Sequence, residues 1–452
     1  MAELTFVGAA GTVTGSKHVL TVGSAHVFVD CGMFQGTHEI SELNAAPLPV
    51  PAREIAAVVV THGHLDHVGY LPKLVHDGFT GPIYCTPPTE AVTQIVLDDS
   101  ANLQEELRER GFQHQRPYAP PIFYDPQDVA RTMALVETMP LHRQFEIVNG
   151  LKATYFNAGH IIGSAFAALE FEGKRAVFSG DLGRYGRPLL FDPESIGTAD
   201  AIVCESTYAD RAHPQRPLDD LRKVLLDGIE RGGAIIIPAF AVERSQDVLL
   251  AIATLQTQDE RIARLPIHLD SPMAEKVDAL FVNFPDAHKP IPGDTPRAPF
   301  GVLNFQEHVT TEESKALNDM TGPLVIVSAS GMASGGRVLH HLHNHLCDPR
   351  ATIVFAGYQS AGTLGFILVH GAKHITLYGD SLPVRAAIVN LGGFSAHADR
   401  DELERWLRTC TSTPHLYAVH GEPASASALA AMARAAFGWK ADVALRGSTV
   451  TL

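Results

Sequence analysis

The feature that most constrains the fold of this chain is the hexapeptide 62–67, which reads His-Gly-His-Leu-Asp-His. It follows the apolar run 55–60, whose β-branched residues predict a buried strand. The cluster therefore lies at the carboxyl end of a strand, where α/β sheets form their ligand crevices. Imidazole and carboxylate groups together suit zinc or another borderline divalent ion. The alternative is a polar loop with a chance cluster of histidines, but polar groups this dense need partners.

The spacing within the hexapeptide predicts two metal ions rather than one. His62 and His64 are two residues apart on a turn and can bind the same ion. The stretch 66–76 is predicted to be helical, with an acidic residue in its first turn. Asp66 and His67 are displaced around the start of this helix and can reach a second ion.

Composition limits the class of protein. A chain of 452 residues is too long for one ordinary core, so two domains are expected. The five cysteines are scattered and odd in number, which favours a reducing cytoplasm over a disulfide framework. We expect no membrane span, and the N-terminal segment lacks the pattern of a signal peptide. The formal net charge of −15 argues against a protein that coats nucleic acid, but not against an enzyme with a local cationic groove.

Several other segments place a metal-binding side chain directly after a predicted strand. Each such residue alone is more often a helix cap or a satisfied polar group. Their joint occurrence with the hexapeptide favours a metal-binding role more strongly than any one of them does alone. These residues are Asp30, His160, Asp181 and His420, and His397 precedes a predicted amphipathic helix.

The motifs resemble those of the metallo-β-lactamase fold, and specifically of its β-CASP branch of RNA and DNA nucleases. Residues 61–67 match the signature of the fold, and Asp30, His160 and Asp181 match its remaining motifs. The three extra β-CASP motifs are matched by Glu205 in CESTY, His397 in FSAHAD and His420 in VHGE. Residues 237–246 and 330–337 match further sequence motifs of the family, and the chain looks most similar to stand-alone bacterial ribonucleases.

This resemblance implies an α/β protein: a four-layer αββα metallo-β-lactamase core with an inserted α/β β-CASP domain. The implied boundaries are 1–207 for the first part of the core, 208–373 for the β-CASP domain and 374–452 for the return to the core. The sequence pattern also changes near residue 208, where short apolar strands begin to alternate with amphipathic helices, as in an open parallel sheet.

The resemblance also implies the ligands of two Zn²⁺ ions per chain, with Mn²⁺ as a substitute. The first ion would be held by His62, His64, His160 and Asp181. The second would be held by Asp66, His67, Asp181 and His420. Two dications about 3.5–4 Å apart suit in-line displacement at a phosphodiester, because they stabilise both the attacking and the leaving oxygen.

Three more residues receive roles near these ions. Asp30 is expected to orient a ligand. His397 is expected to donate a proton to the leaving 3′ oxygen, with Glu205 orienting it. The alternatives are that His397 only binds a substrate phosphate and that Glu205 is a structural ion-pair partner.

RNA contacts are predicted in the inserted domain. Ser330 and Gly331 begin a glycine-rich turn whose amides could cradle a phosphate, although an ordinary strand–turn–helix joint reads the same way. Arg244 and Arg337 are the basic residues expected to contact RNA phosphates. The histidine-rich run 340–345 is expected to be a helix surface rather than a metal site, because helical phase scatters its imidazoles.

The implied function is a two-zinc ribonuclease that hydrolyses RNA phosphodiester bonds in RNA processing or decay. Endonucleolytic cutting is expected, and the sequence leaves 5′-exonuclease action open. The expected partner is RNA, with a homodimer left open. One alternative is a DNA nuclease of the same branch, in which the histidine of the last motif is typically apolar, so His420 favours RNA. A second alternative is a small-molecule metallo-hydrolase, which Glu205, His397 and the inserted domain disfavour. A third is a non-catalytic RNA-binding subunit, which the filled metal-ligand positions disfavour.

Overall fold

The computed structural model describes residues 2–113, 123–214, 216–291, 293, 299–360 and 362–452. The chain divides into two compact units. The first consists of Met1–Ala212 with His397–Leu452, and the second of His213–Ala396. The predicted limits, 208 and 373, differ from these bounds most at the C-terminal side. There the strand Ala387–Asn390 pairs with Thr352–Phe355 and so belongs to the sheet of the second unit.

Two sheets of seven strands form the centre of the first unit. The strand order of one is Thr449–Thr451, Glu3–Phe6, Lys17–Val22, Ala25–Cys31, Ile55–Val59, Ile83–Cys85 and Val136–Thr138. The order of the other is Lys440–Val443, His415–Val419, Ala201–Glu205, Lys174–Phe178, Ala165–Phe171, Leu151–Asn157 and Phe145–Val148. In each sheet, four neighbouring strands run parallel, so their carboxyl ends share one edge.

The two sheets pack against each other and helices cover their outer faces. Apolar side chains from both sheets form the central core, among them Val59 and Tyr155. Leu71 belongs to the outer core of the first sheet, and Trp406 to that of the second. The helices of this unit are His38–Ser41, Leu65–Val68, Leu71–His76, Pro87–Gln113, Pro126–Met133, Arg400–Leu407 and Pro423–Phe437. The predicted four-layer αββα architecture is confirmed.

The second unit is built on a parallel sheet of six strands. Their order is Phe305–Glu307, Ile267–Asp270, Leu324–Ser328, Ala234–Pro238, Thr352–Phe355 and Ala387–Asn390. A hairpin, His374–Leu377 with Asp380–Pro383, is separate from this sheet. The helices are Pro217–Arg231, Arg244–Gln256, Glu260–Ala263, Pro272–Asn283, Thr311–Ala316, Val338–His345 and Leu364–Val369. The open parallel sheet predicted for this part of the chain is therefore present.

One predicted helix differs from the structure. Residues 66–76 were expected to form a single helix, but the chain forms the helices Leu65–Val68 and Leu71–His76, with a break between them. At the break the amide of Tyr70 donates to the carbonyl of Cys31 at 2.9 Å, outside the helix. Pro72, in the first turn of the second helix, has no amide hydrogen to continue the first one.

Within the described ranges, no helix combines the length and the apolar character needed to cross a lipid bilayer.

Candidate metal centre

The loops that carry the predicted metal ligands leave the carboxyl ends of strands in both sheets of the first unit. The pairs of strand and ligand are Ile55–Val59 with His62 and His64, Leu151–Asn157 with His160, Lys174–Phe178 with Asp181, and His415–Val419 with His420. Gly63 lets the first of these loops pass close to a helix, because a Cβ there would lie 2.6 Å from Cγ1 of Val92. The backbone between His62 and His64 is thus held close to that helix.

His62, His64, His160 and Asp181 form a first cluster, in which one ligand atom from each residue lies within 4.8 Å of all the others. Nε2 of His62 is 3.1 Å from Nδ1 of His64, which is 3.3 Å from Nε2 of His160. Oδ2 of Asp181 is 3.5 Å from Nε2 of His62 and 3.5 Å from Nε2 of His160. Ligands about 2.1 Å from a zinc ion at tetrahedral corners are about 3.4 Å apart, so these separations fit one tetrahedral ion.

Asp66, His67 and His420 form a second cluster. Nε2 of His420 is 3.2 Å from Nε2 of His67 and 3.3 Å from Oδ2 of Asp66. Oδ1 of Asp181 is 3.3 Å from Nε2 of His67 and 3.5 Å from Nδ1 of His420. Because the other oxygen of Asp181 lies in the first cluster, this carboxylate lies between the two clusters, where the predicted bridging ligand is needed.

The imidazoles of the first cluster are held in the form that binds a metal. Burial lowers the pKa of His64 to about 4 and lowers the pKa values of His62 and His160 well below the usual range. Imidazoles with such pKa values are neutral at physiological pH and keep a lone pair for a cation.

The second cluster carries an excess of negative charge. Burial lowers the pKa of His67, but the carboxylates of Asp181, Asp30 and Asp66 outweigh it and raise the pKa well above its usual value. The pKa of His420 is raised in the same way, against burial, mainly by Asp181. Three carboxylates around two imidazoles thus favour positive charge at this point.

One buried atom supports the fit of these residues to a cation. Oδ1 of Asp181, which faces the second cluster, is buried and makes no hydrogen bond within the described part of the chain. An unsatisfied buried carboxylate oxygen is costly unless a positive charge lies beside it. A set of three imidazoles and a carboxylate is a donor set that suits zinc.

Asp30 lies behind the second cluster and contacts His67. Its Oδ2 accepts a hydrogen bond of 2.7 Å from Nδ1 of His67, which leaves Nε2 of that ring facing the cluster. Its Oδ1 accepts from the amide and the hydroxyl of Thr61, at 2.8 and 3.0 Å. Asp30 therefore ties the start of the hexapeptide loop to the ring of its last histidine.

His397 and Glu205 meet at the edge of the first cluster. Nδ1 of His397 lies 3.2 and 3.3 Å from the two carboxylate oxygens of Glu205, and 3.8 Å from Oδ2 of Asp181. Glu205 is fully buried, whereas the side chain of His397 is 21% exposed. Burial lowers the pKa of His397, but Glu205 and Asp181 outweigh it and raise the pKa. His397 is thus able to hold a proton on a ring that reaches solvent.

Glu205 is itself fixed by the backbone. Its Oε1 accepts from the amide of Leu182 at 2.6 Å, directly after Asp181. The residues Asp181, Glu205 and His397 also bring their ligand atoms within 4.8 Å of one another. Glu205 and His397 are therefore coupled by hydrogen bonds to the segment that carries Asp181.

Threonine side chains were missed by the sequence reasoning. Thr207 Oγ1 lies 3.2 Å from Nδ1 of His420, and Thr61 Oγ1 lies 3.0 Å from each oxygen of Asp30. Thr61 lies within the matched residues 61–67 and Thr207 within the matched CESTY motif, which is the signal that could have indicated them. Their hydroxyls help to fix the orientation of His420 and Asp30.

The predicted RNA contacts all lie in the second unit. Arg244 begins the helix Arg244–Gln256 and is buried. Arg337 donates to Oδ1 of Asp270 at 2.8 Å and to the carbonyls of His308 and Val309 at 2.8 and 2.5 Å. Its guanidinium therefore has a structural role, which the sequence did not indicate, and its contact with RNA stays a prediction.

The glycine-rich turn has the form of a loop followed by a helix. Ser330 and Gly331 follow the strand Leu324–Ser328, and the helix Val338–His345 comes after the turn. Ser330 Oγ accepts from the amide of Ser334 at 3.0 Å, so part of the turn is satisfied internally. Its binding of phosphate stays a prediction.

The histidine-rich run lies on the helix Val338–His345. His341 is buried and pairs with Oδ2 of Asp270 at 2.6 Å, whereas His343 pairs with Asp380 at 2.9 Å. His340 stacks on Tyr378. Among the described residues, the groups able to hold a metal do not include this run.

Three family models match the chain. The metallo-β-lactamase superfamily model matches residues 18–256, the Beta-Casp domain model matches residues 245–368, and the model of a Zn-dependent metallo-hydrolase RNA specificity domain matches residues 381–444.

Curated relatives match over most of the chain. Ribonuclease TTHA0252 of Thermus thermophilus is 40% identical, over 98% of this chain and 96% of that protein. The RNase J-like protein of Methanocaldococcus jannaschii is 31% identical, over 93% of each. Transcription termination factor FttA of Methanosarcina mazei is 31% identical, over 93% of this chain and 67% of that protein.

A solved structure shares the fold. A protein of unknown function from Enterococcus faecalis superimposes with a TM-score of 0.56 at 14% identity, covering 100% of each chain. The three family models and the relatives agree with the motifs described above. This chain belongs to the β-CASP family of the metallo-β-lactamase superfamily.

Proposed function

We propose that this chain is a metal-dependent ribonuclease that binds two Zn²⁺ ions and cuts RNA at internal phosphodiester bonds. The observation that carries the proposal is Asp181, whose two oxygens lie in adjacent clusters of metal-competent side chains. Two relatives that match nearly their full length are named ribonuclease and RNase J-like protein, which supports RNA as the substrate.

In this proposal the two clusters hold the ions and the chain fixes their separation. The ions, when bound, would supply a water of lowered pKa and positive charge for the phosphate oxygens. Asp181 holds the two halves of the site together, and Asp30 keeps Nε2 of His67 directed at the second cluster. In this proposal the reacting phosphate of the RNA binds between the two clusters that Asp181 joins.

His397 supplies the proton of the reaction in this proposal. The 3′ oxygen leaves as a strong base and needs a proton as the bond to phosphorus breaks. Glu205 raises the pKa of His397 and holds its Nδ1, so the proton to be transferred is on the other ring nitrogen, Nε2. Glu205 acts through His397 and is a positioning residue.

The cellular setting is also part of the proposal. All five cysteines are free thiols, which suits the reducing cytoplasm where RNA is processed. The homodimer left open by the sequence stays a prediction.

A comparison of two substrates tests the proposed function. A 5′-labelled structured RNA and its DNA analogue are incubated with zinc-loaded protein, with and without a chelator. The proposal expects internal fragments from the RNA, far less product from the DNA, and none with the chelator. Preferential cleavage of DNA would support the alternative nuclease, and release of mononucleotides alone would contradict internal cutting.

Asp30→Asn is expected to weaken metal binding by about 10- to 100-fold, because the amide no longer holds His67 as a charged carboxylate does. Competition with a chromophoric chelator measures the change. Asp128→Asn is the matched control, since Asp128 is also buried and lies 3.2 Å from a histidine, His76, outside both clusters. An unchanged metal affinity in Asp30→Asn would contradict the orienting role of Asp30.

A further inference from the structure

The parallel sheet of the second unit has a point at which its winding reverses. The strand Ala234–Pro238 leads through the helix Arg244–Gln256 to Ile267–Asp270, on one side of the sheet order. Its neighbour Leu324–Ser328 leads through the helix Val338–His345 to Thr352–Phe355, on the other side. The two crossovers therefore run in opposite directions from adjacent strands.

The helices of these crossovers lie on opposite faces of the sheet. Ile235 packs beside Gly228 of the helix Pro217–Arg231, which contacts Arg244–Gln256. Ile236 belongs to the core beneath the helix Val338–His345. Because the two crossovers pass over opposite faces, the loops that follow the two strands leave the carboxyl edge of the sheet in opposite directions. Open α/β sheets bind their ligands at the carboxyl edge where the winding reverses.

Phe240 lies at this edge of the sheet and is exposed. It follows the strand Ala234–Pro238, and its side chain is 38% exposed. Gly331 lies against it: a Cβ on Gly331 would be 2.8 Å from Cδ2 and 2.8 Å from the amide nitrogen of Phe240. The loops that follow the two strands thus meet at the ring of Phe240 and the backbone of Gly331.

The position of Phe240 is fixed from both sides. Its carbonyl accepts hydrogen bonds from the amide and the hydroxyl of Ser245, at 3.0 and 2.9 Å, at the start of the following helix. The loop of Gly331 closes the other side, where only glycine fits. An exposed aromatic side chain on such a fixed backbone loses little freedom when a ligand stacks on it.

We propose that Phe240 is a stacking platform for a base of single-stranded RNA in the second unit. Every base has a π-face, so an aromatic ring binds single strands with little dependence on sequence. The glycine-rich turn predicted to contact phosphate begins beside this ring, so one nucleotide could contact both. This inference rests on the proposed function, because it takes RNA to be the substrate.

The test measures RNA binding separately from cleavage. Variants are made in the full-length His397→Ala protein, which keeps both clusters and is expected to cut slowly. Binding of a fluorescein-labelled single-stranded RNA is followed by anisotropy, and gels verify that it stays intact. Phe240→Ala is expected to weaken binding by about 5- to 150-fold, the range for loss of one stacked base, whereas Phe240→Trp retains it.

A modified RNA isolates the contact between ring and base. The modified RNAs form a series in which each lacks one base. One of them should bind the His397→Ala protein weakly, and adding Phe240→Ala should lower the affinity for this RNA almost no further. Equal losses from Phe240→Ala on all RNAs, or retained binding in Phe240→Leu, would overturn the stacking role. Tyr378→Ala is the matched control, since Tyr378 is an aromatic residue of the same unit that is 54% exposed, and its binding should not change.

The two proposals fail in different ways. If the unmodified protein cleaves no RNA, the proposed function is wrong. If it cleaves RNA while Phe240→Ala binds normally, only the stacking inference is wrong.

Discussion

His64→Ala is expected to reduce RNA cleavage by at least about 10³-fold with the fold retained, because binding to a metal is what brings the pKa of water from 15.7 to about 7. The ring of His64 lies between those of His62 and His160, with nitrogen separations of 3.1 and 3.3 Å. Its loss would leave the proposed first ion with three of its four protein ligands. Asp66→Ala should have a similar effect through the second cluster.

The measurement is the single-turnover cleavage rate of an RNA at saturating protein, with circular dichroism to verify folding. His142→Ala is the matched control, because His142 is a histidine of the same unit that pairs with Glu194 outside the clusters. The control should cleave normally. A folded His64→Ala or Asp66→Ala protein that cleaves at nearly the normal rate would show that the nucleophile is generated elsewhere.

His397→Ala is expected to lower the cleavage rate by about 10² to 10⁴, the usual contribution of a general acid. The defect should largely disappear on an RNA whose leaving 3′ oxygen is replaced by sulfur, because a thiolate leaves without a proton. Glu205→Gln should show a smaller defect with the same rescue, since Glu205 acts by holding Nδ1 of His397.

The two substrates separate proton donation from other roles of His397. If His397 only bound phosphate or supported the fold, its loss would slow both substrates equally. Metal content should stay unchanged in His397→Ala, which distinguishes its role from that of the ligands in the first cluster.

The positions of the metal-competent residues could be predicted because strand ends are visible in a sequence. Short apolar runs mark the strands before His62, Asp181 and His420, and parallel strands bring such ends to one edge. The shared role of Asp181 came from the family resemblance, since spacing along the chain does not show which carboxylate lies between two clusters.

Contacts that depend on distant segments could not be predicted. Arg337 has a side chain of the type that binds phosphates, yet its guanidinium donates a hydrogen bond to Asp270, 67 positions away in the sequence. The break between the two helices at Tyr70 depends on the carbonyl of Cys31, which lies in the distant strand Ala25–Cys31. Phe240 had no role in the sequence analysis, because its exposure follows from the winding of a whole sheet.

The central claim is that two ions bound at clusters sharing Asp181 make this chain a ribonuclease. It is tested most directly by stripping the protein with a chelator and adding Zn²⁺ stepwise, while cleavage of a 5′-labelled RNA and bound zinc are measured together. The account predicts no cleavage by the stripped protein and a rise that reaches its plateau at two zinc ions per chain. Full cleavage without any transition metal, or a plateau at one ion per chain, would contradict it.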